Sequence, residues 1–283
     1  MGTSQSSNGA PPNVPMIPPW ADNGDSDNPT SPTDDNTVDN SPTPNPPEKD
    51  NPENPVLAPS GRFRGARTNL NKFAREGGRQ NLRRGVGHYV KTGYGGSKTA
   101  TARLSRTVAT AGALYRALSY GSSEAAFSES SASVPDIDFD ALRGKSFEQI
   151  SDTIIEAIRP IDGDLDSEAS RNSMKNAFSE LLEKYNDADL FNLDEKQRQF
   201  VIERFIAGDV FARFDLDMGK NIRHNASSLA SGLSRLKEAK VYIKETVASS
   251  FKKIASSITS KSIVSLIRET LEDAFHVFES YAL

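Results

Sequence analysis

The sequence predicts an all-α protein: a helical bundle preceded by a long, disordered, proline-rich N-terminal tail. Two observations carry this. From about residue 61 onward, apolar side chains recur at spacings of three and four, the repeat of one helix face, and no stretch alternates as a half-buried strand does. Before that point the composition changes: fourteen of the sixteen prolines lie in residues 1–60, and Asp, Asn, Ser and Thr fill most of the positions between residues 21 and 55. A stretch of this kind buries too little apolar surface to offset its ordering entropy, so extended and coil states are expected. The chain of 283 residues therefore divides into a tail over 1–60, a basic helical segment over 61–120 and a helical bundle over 135–283, with a serine-rich linker between the last two.

The first twenty residues, MGTSQSSNGAPPNVPMIPPW, differ from the rest of the tail. They set Val14, Met16, Ile17 and the only tryptophan, Trp20, among prolines, the composition of a peptide meant to be bound by another protein. Residues 21–60 read as a solubilising spacer. A free coil of the whole tail has an end-to-end distance of roughly 40 Å, which lets the terminus act well away from the body.

In the basic segment a short helix is expected over 66–76 with Leu70, Phe73 and Ala74 on one face, ended by Gly77-Gly78. A second follows over 79–92 through Leu82, Val86, Tyr89 and Val90, then a break at Gly93–Gly96, then one helix from Ser97 to Tyr120. In the bundle, Ser146 opens a capping box with Gln149, and Phe147, Ile150, Ile154 and Ile158 form the stripe of a helix closed by Pro160 and Gly163. The next covers about 165–185. Asp194 and Gln197 begin another, which runs through Phe205 and Val210 and ends near Phe214. A long helix over 226–257 carries Leu229, Leu233, Leu236, Ile243, Val247 and Ile254, and a last one over 261–281 carries Leu266, Ile267, Leu271, Phe275 and Phe278.

Charge is sharply zoned. Residues 1–60 carry a net of -8, residues 61–106 a net of +11, and the remainder a net of -7. Arg62, Arg64, Arg67, Arg75, Arg79, Arg83 and Arg84, with Lys72, are the candidate anion-binding residues, and Phe63 and Tyr94 lie near them. Three anionic partners suit them: nucleic acid, an acidic protein surface, or the chain's own acidic tail. No nucleic-acid-binding motif frames these arginines.

Chemistry-bearing constellations are absent from the sequence. There is no cysteine, hence no disulfide, thiolate ligand or thiol nucleophile. His88, His224 and His276 fall on separate elements without metal-ligand spacing. The GYGGSKT stretch over 93–99 departs from the phosphate-loop pattern, since Ser97 rather than glycine precedes Lys98. Asp215 and Asp217 read as a solvated helix end, with a cation site as the alternative. The chain is therefore expected to be no enzyme and to need no cofactor or metal. No apolar run approaches the roughly 18 residues of a membrane span, and no secretory signal opens the sequence, so a cytoplasmic location is expected.

The start Met1-Gly2-Thr3-Ser4 followed by PMIPPW, together with residues 66–104 (ARTNLNKFAREGGRQNLRRGVGHYVKTGYGGSKTATARL), resembles the QatB family of the bacterial Qat anti-phage defence system. The resemblance covers about 60 residues; in the bundle it extends only to helical character. It implies three partners: a deazaguanine-synthase-like enzyme (QatC-type), an ATPase (QatA-type) and a TatD-type nuclease (QatD-type). It also implies that Gly2 receives a deazaguanine base from the synthase-like partner, with Thr3, Ser4, Pro15, Met16, Ile17, Pro18, Pro19 and Trp20 serving for recognition. The residues suit that chemistry, because glycine after Met1 permits removal of the methionine and leaves an unhindered α-amine with a pKa of about 7.7–8.0. Gly2 with Ser6 also matches the N-myristoylation pattern, which is the rival use of the same terminus.

Overall fold

The computed structural model of the chain describes residues 14–18, 57–119, 137–257 and 262–282. Among the described residues the regular structure is helical, apart from one isolated antiparallel bridge between Pro15 and Leu57.

Helix α1 (Arg64–Glu76) buries Ala66, Leu70, Phe73 and Ala74. It ends at Gly77 and Gly78, both at positive φ (75° and 93°), a conformation glycine adopts without the Cβ clash of other residues. Helix α2 (Arg79–His88) then folds back on α1. The approach is close because Gly85 faces Leu70: a Cβ there would lie 2.6 Å from Leu70 Cδ2. Helix α2 continues into a π turn, Tyr89–Gly93. The single helix expected from Ser97 is in fact two, α3 (Ser97–Arg103) and α4 (Ser105–Leu118). They part at Leu104 (φ -94°, ψ 22°), whose N–H is shared between the carbonyls of Ala100 and Thr101. The break lets α3 lie along α10 while α4 packs on both α10 and α7.

Helix α5 (Phe147–Ile158) opens with the expected reciprocal cap, Gln149 N–H to Ser146 Oγ at 3.3 Å and Ser146 N–H to Gln149 Oε1 at 3.1 Å. It stops before Pro160, which has no N–H to continue the ladder. Helix α6 (Leu165–Lys184) is capped by Asp164. Helix α7 (Glu195–Phe214) begins with the Asp194–Gln197 capping box, at 2.8 and 2.9 Å. It is the centre of the molecule: Phe205, Ile206, Ile202 and Phe214 are fully buried, and it packs on α4, α6 and α9.

Helix α7 does not end at Phe214 as its sequence suggests. It runs through a second π turn, Asp215–Gly219, into α8 (Lys220–Asn225). The long α9 (Leu229–Ser257) also departs from expectation at its start, where Leu229 and Leu233 are exposed (70% and 54%) rather than buried. Gly232 is the reason. It sits against the α8 backbone, where a Cβ would meet Arg223 Cα at 3.1 Å, so the buried stripe is Gly232, Leu236, Ala239 and Ile243. Helix α10 (Ile263–Glu279) closes the bundle against α9, α3, α4 and α2. One hydrophobic core runs from Phe63 to Phe278, joining α1–α4 to α5–α10. Among the described residues, no helix is long and apolar enough to cross a membrane.

Candidate docking site of the N-terminal segment

The two π turns meet. A π turn widens the helix by one residue and turns side chains off the regular stripe. In the first, Tyr94 N–H reaches back to the Tyr89 carbonyl at 3.1 Å, and both Tyr89 and Tyr94 point inward. The second presents Asp217. Both hydroxyls donate to Asp217 Oδ2, Tyr89 at 2.8 Å and Tyr94 at 2.6 Å, and the rings stack edge-to-face at 4.9 Å. Phe63 and Phe214 complete the cluster, with centroids 5.8 and 5.3 Å from Tyr89. Burial, and then the Asp217 charge, push both phenols well above their ordinary pKa. One helical turn away, Arg213 pairs with Asp166 at 2.7 Å. Burial opposes its charge, but Tyr94, Asp166 and Asp217 outweigh this and raise its pKa. Asp217 is thus no solvated helix end; it is the acceptor for the two hydroxyls that follow α2, and it ties them to the turn that follows α7.

Above this cluster lie residues 14–18 of the expected tail. Residues 14–18 are seated on the helical body. Pro15 pairs with Leu57, and Ala58 N–H donates to the Val14 carbonyl at 2.7 Å. Met16 is buried, 4% exposed. Arg103 donates to the Met16 carbonyl, and Arg62 Nη1 lies 3.5 Å from Met16 Sδ. The Met16 methyl rests on Gly95, where a Cβ would lie 2.7 Å away and where φ is +82°. Arg103 stacks over Tyr94 at 5.1 Å and Arg62 over Phe63 at 5.0 Å, so both seat arginines rest on rings of the buried cluster. Burial, and then the nearby Arg103 charge, lower the Arg62 pKa.

The glycine-rich loop is committed elsewhere than to phosphate. Gly93 lies against Phe63, where a Cβ would meet Cε1 at 2.3 Å; Gly95 receives Met16; and Ser97 N–H, at the start of α3, donates to Glu279 Oε2 at 3.0 Å. A carboxylate of the chain itself occupies the place a phosphate would take.

The sequence-derived site residues fall into three groups. Met16 is buried, while Pro15, Ile17 and Pro18 are half-buried at the seat; Gly2, Thr3, Ser4, Pro19 and Trp20 lie outside the described residues. Of the seven arginines, only Arg62 belongs to the seat. Arg83 stacks on Tyr281 at 4.7 Å, and Arg75 donates to Asn225 Oδ1 at 3.4 Å. Arg64, Arg79 and Arg84 are exposed and Arg67 is half-buried. Among the described residues none of the seven pairs with a carboxylate. Sequence reading missed Ala58, Tyr89, Gly95 and Arg103 as site residues, because each acts through a partner far away in the chain. Among the described residues no group of three His, Asp or Glu side chains is arranged to hold a metal ion.

Comparison with known proteins gives one result. No curated protein and no solved structure matches the chain. A family model does, described as the Qat anti-phage system associated protein QatB, over residues 95–278, which is 184 of 283 residues. The span begins at the seat glycine and runs through α3 to α10, so the bundle, where the sequence offered no diagnostic residue, carries the match. The chain belongs to the QatB family of proteins associated with the Qat anti-phage system.

Proposed function

We propose that this chain is the non-enzymatic, modified member of its defence system. Its helical body docks partners, and its N-terminal amine is the group a deazaguanine-synthase-like enzyme acts on. In this reading Met1 is removed and the Gly2 amine is the attachment point of the base. The observation that supports the proposal is the seating of Val14–Pro18 on a body that belongs to the QatB family. The ATPase and TatD-type nuclease are the further partners of this reading.

Intact mass and N-terminal peptide sequencing test it, on protein expressed with and without the neighbouring gene for the synthase-like enzyme. A mass gain on Gly2 only when that gene is present is expected. An unmodified Gly2 in a fully active system overturns the proposal, and a myristoyl mass supports the rival use of the terminus.

A second reading concerns Arg64, Arg79 and Arg84, whose exposure without a carboxylate partner among the described residues favours an anionic ligand. We assign them to an acidic protein surface. Salt-sensitive binding of duplex DNA by the full chain at physiological ionic strength would favour nucleic acid instead.

A further inference from the structure

We propose that the Met16 seat is a positioning site, which holds the first thirteen residues as a short arm so that the enzyme acting on Gly2 must work in contact with the helical body. The inference rests on the reading above that Gly2 is the modified residue. It goes beyond that reading by assigning a recognition surface on the body, formed by Ala58, Arg62, Tyr94, Gly95 and Arg103.

The argument is geometric. A tail free up to residue 60 leaves the amine almost unconstrained, whereas the structure ties Val14 to Ala58, and Met16 to Arg62, Gly95 and Arg103 of α3. Gly2 lies twelve residues before Val14, and twelve residues span at most about 40 Å when fully extended. As a coil the same arm has a root-mean-square length of about 20 Å. An enzyme that takes the amine into its active site therefore overhangs the surface around the seat. Residues 19–56, with all nine acidic groups of the tail, follow the seat in the sequence. They do not lengthen the arm.

The seat is chosen by chemistry as well as by position. Gly95 gives the Met16 methyl a space that any larger residue would fill. Arg103 reads a backbone carbonyl, and it is held over the Tyr94 ring while Tyr94 is itself tied to Asp217. The recognition surface is thus built on the junction of α2 and α7 and inherits its rigidity. A short arm tethered to a docked enzyme reacts at an effective concentration in the millimolar range.

The test uses the full chain with the synthase-like enzyme and compares wild type, Met16→Ser, Arg103→Ala and Met16→Leu with a free peptide of residues 1–20. Two quantities are read: the rate of mass gain at Gly2, and the fluorescence anisotropy of Trp20, the only tryptophan and four residues beyond Met16. Met16→Ser and Arg103→Ala are expected to lower the anisotropy and to reduce kcat/KM for modification at least about tenfold, mainly through KM. Met16→Leu is expected to restore both. The free peptide is expected to react at least about a hundredfold less efficiently than the full chain, in line with the usual gain from tethering. Equal modification of wild type, Met16→Ser and peptide overturns the inference while leaving Gly2 as the modified residue. Unchanged anisotropy in Met16→Ser overturns the seat itself. An unmodified Gly2 in wild type overturns the reading on which the inference rests, and the anisotropy still decides the seat.

Discussion

In the half of the body built from α5 to α10, cations meet carboxylates of the same chain. Arg171 pairs with Glu156, Arg204 and Lys244 with Glu180, Arg213 with Asp166, Arg223 with Asp215 and Lys253 with Asp273. In α1 and α2, Arg64, Arg67, Arg75, Arg79, Arg83 and Arg84 have no such partner among the described residues. Both halves share one core, so the difference does not separate a folded part from a loose one. It separates charges paired within the fold from charges such as Arg64, Arg79 and Arg84, which are exposed and meet no carboxylate among the described residues. The seat stands at the border, where Arg62 and Arg103 hold neutral groups of the N-terminal segment rather than carboxylates.

The sharpest way to break the comparison is to attack the shared core. Phe205, in the middle of α7, is fully buried. Phe205→Ala is expected to cost about 3–5 kcal/mol, through lost transfer energy and the cavity left behind. Urea unfolding followed by circular dichroism is expected to show a single transition moved to lower denaturant. If α1–α4 unfold separately from α5–α10, two transitions appear and the shared core is refuted.

Next in size is the tie between α2 and α7. Tyr94→Phe leaves Asp217 with one hydroxyl donor in place of two and is expected to cost about 1–3 kcal/mol. It also carries a pH signature. Tyr89 and Tyr94 have pKa values raised by burial and by Asp217, so in the folded chain both stay protonated after the unfolded chain has begun to ionise near pH 10. Their contribution is complete below that value and falls as pH rises toward the folded values, because the unfolded state then binds fewer protons. Tyr115, raised by burial and by Glu195 to about 12, and Tyr242, raised by burial and by Tyr281 to about 12, add to the same loss. Tyr94→Phe is expected to make stability above pH 10 fall less steeply than in wild type. An unchanged slope removes Tyr94 from the account.

What the sequence made legible follows from the range of each interaction. The capping boxes at Ser146 and Asp194 were readable because both partners lie three residues apart. The glycine stop at Gly77-Gly78 is equally local. The run of α7 through Asp215–Gly219 was not readable. Two acidic residues after Phe214 look like a frayed end unless Tyr89 and Tyr94 are known to meet Asp217 across 128 and 123 residues. The start of α9 misled for a similar reason, since Leu229 and Leu233 fit the helical repeat while Gly232 fixes which face turns inward. Met16 was legible as a residue for another protein to bind, but not as one seated on the chain's own body. Prolines on both sides mark it as part of a disordered tail, and nothing local signals that Arg103 will hold its carbonyl.

The smallest expected effect on stability separates the two kinds of charge most cleanly. Arg64, Arg79 and Arg84 are exposed and touch no carboxylate among the described residues, so replacing all three with glutamine removes no ion pair from the fold. Exposed substitutions of this kind usually change stability by no more than about 0.5 kcal/mol each. The corresponding change in the other half, Arg213→Gln, removes the ion pair with Asp166 at a partly buried site and is expected to cost more than the three exposed changes together. Binding reverses the order. The triple variant is expected to weaken association with an acidic partner and to flatten its salt dependence, while Arg213→Gln leaves the affinity of the folded fraction unchanged. Thermal unfolding and pull-down across a salt series measure the two effects on the same proteins. If the triple variant loses stability and keeps its partner, the α1–α2 arginines belong to the fold after all.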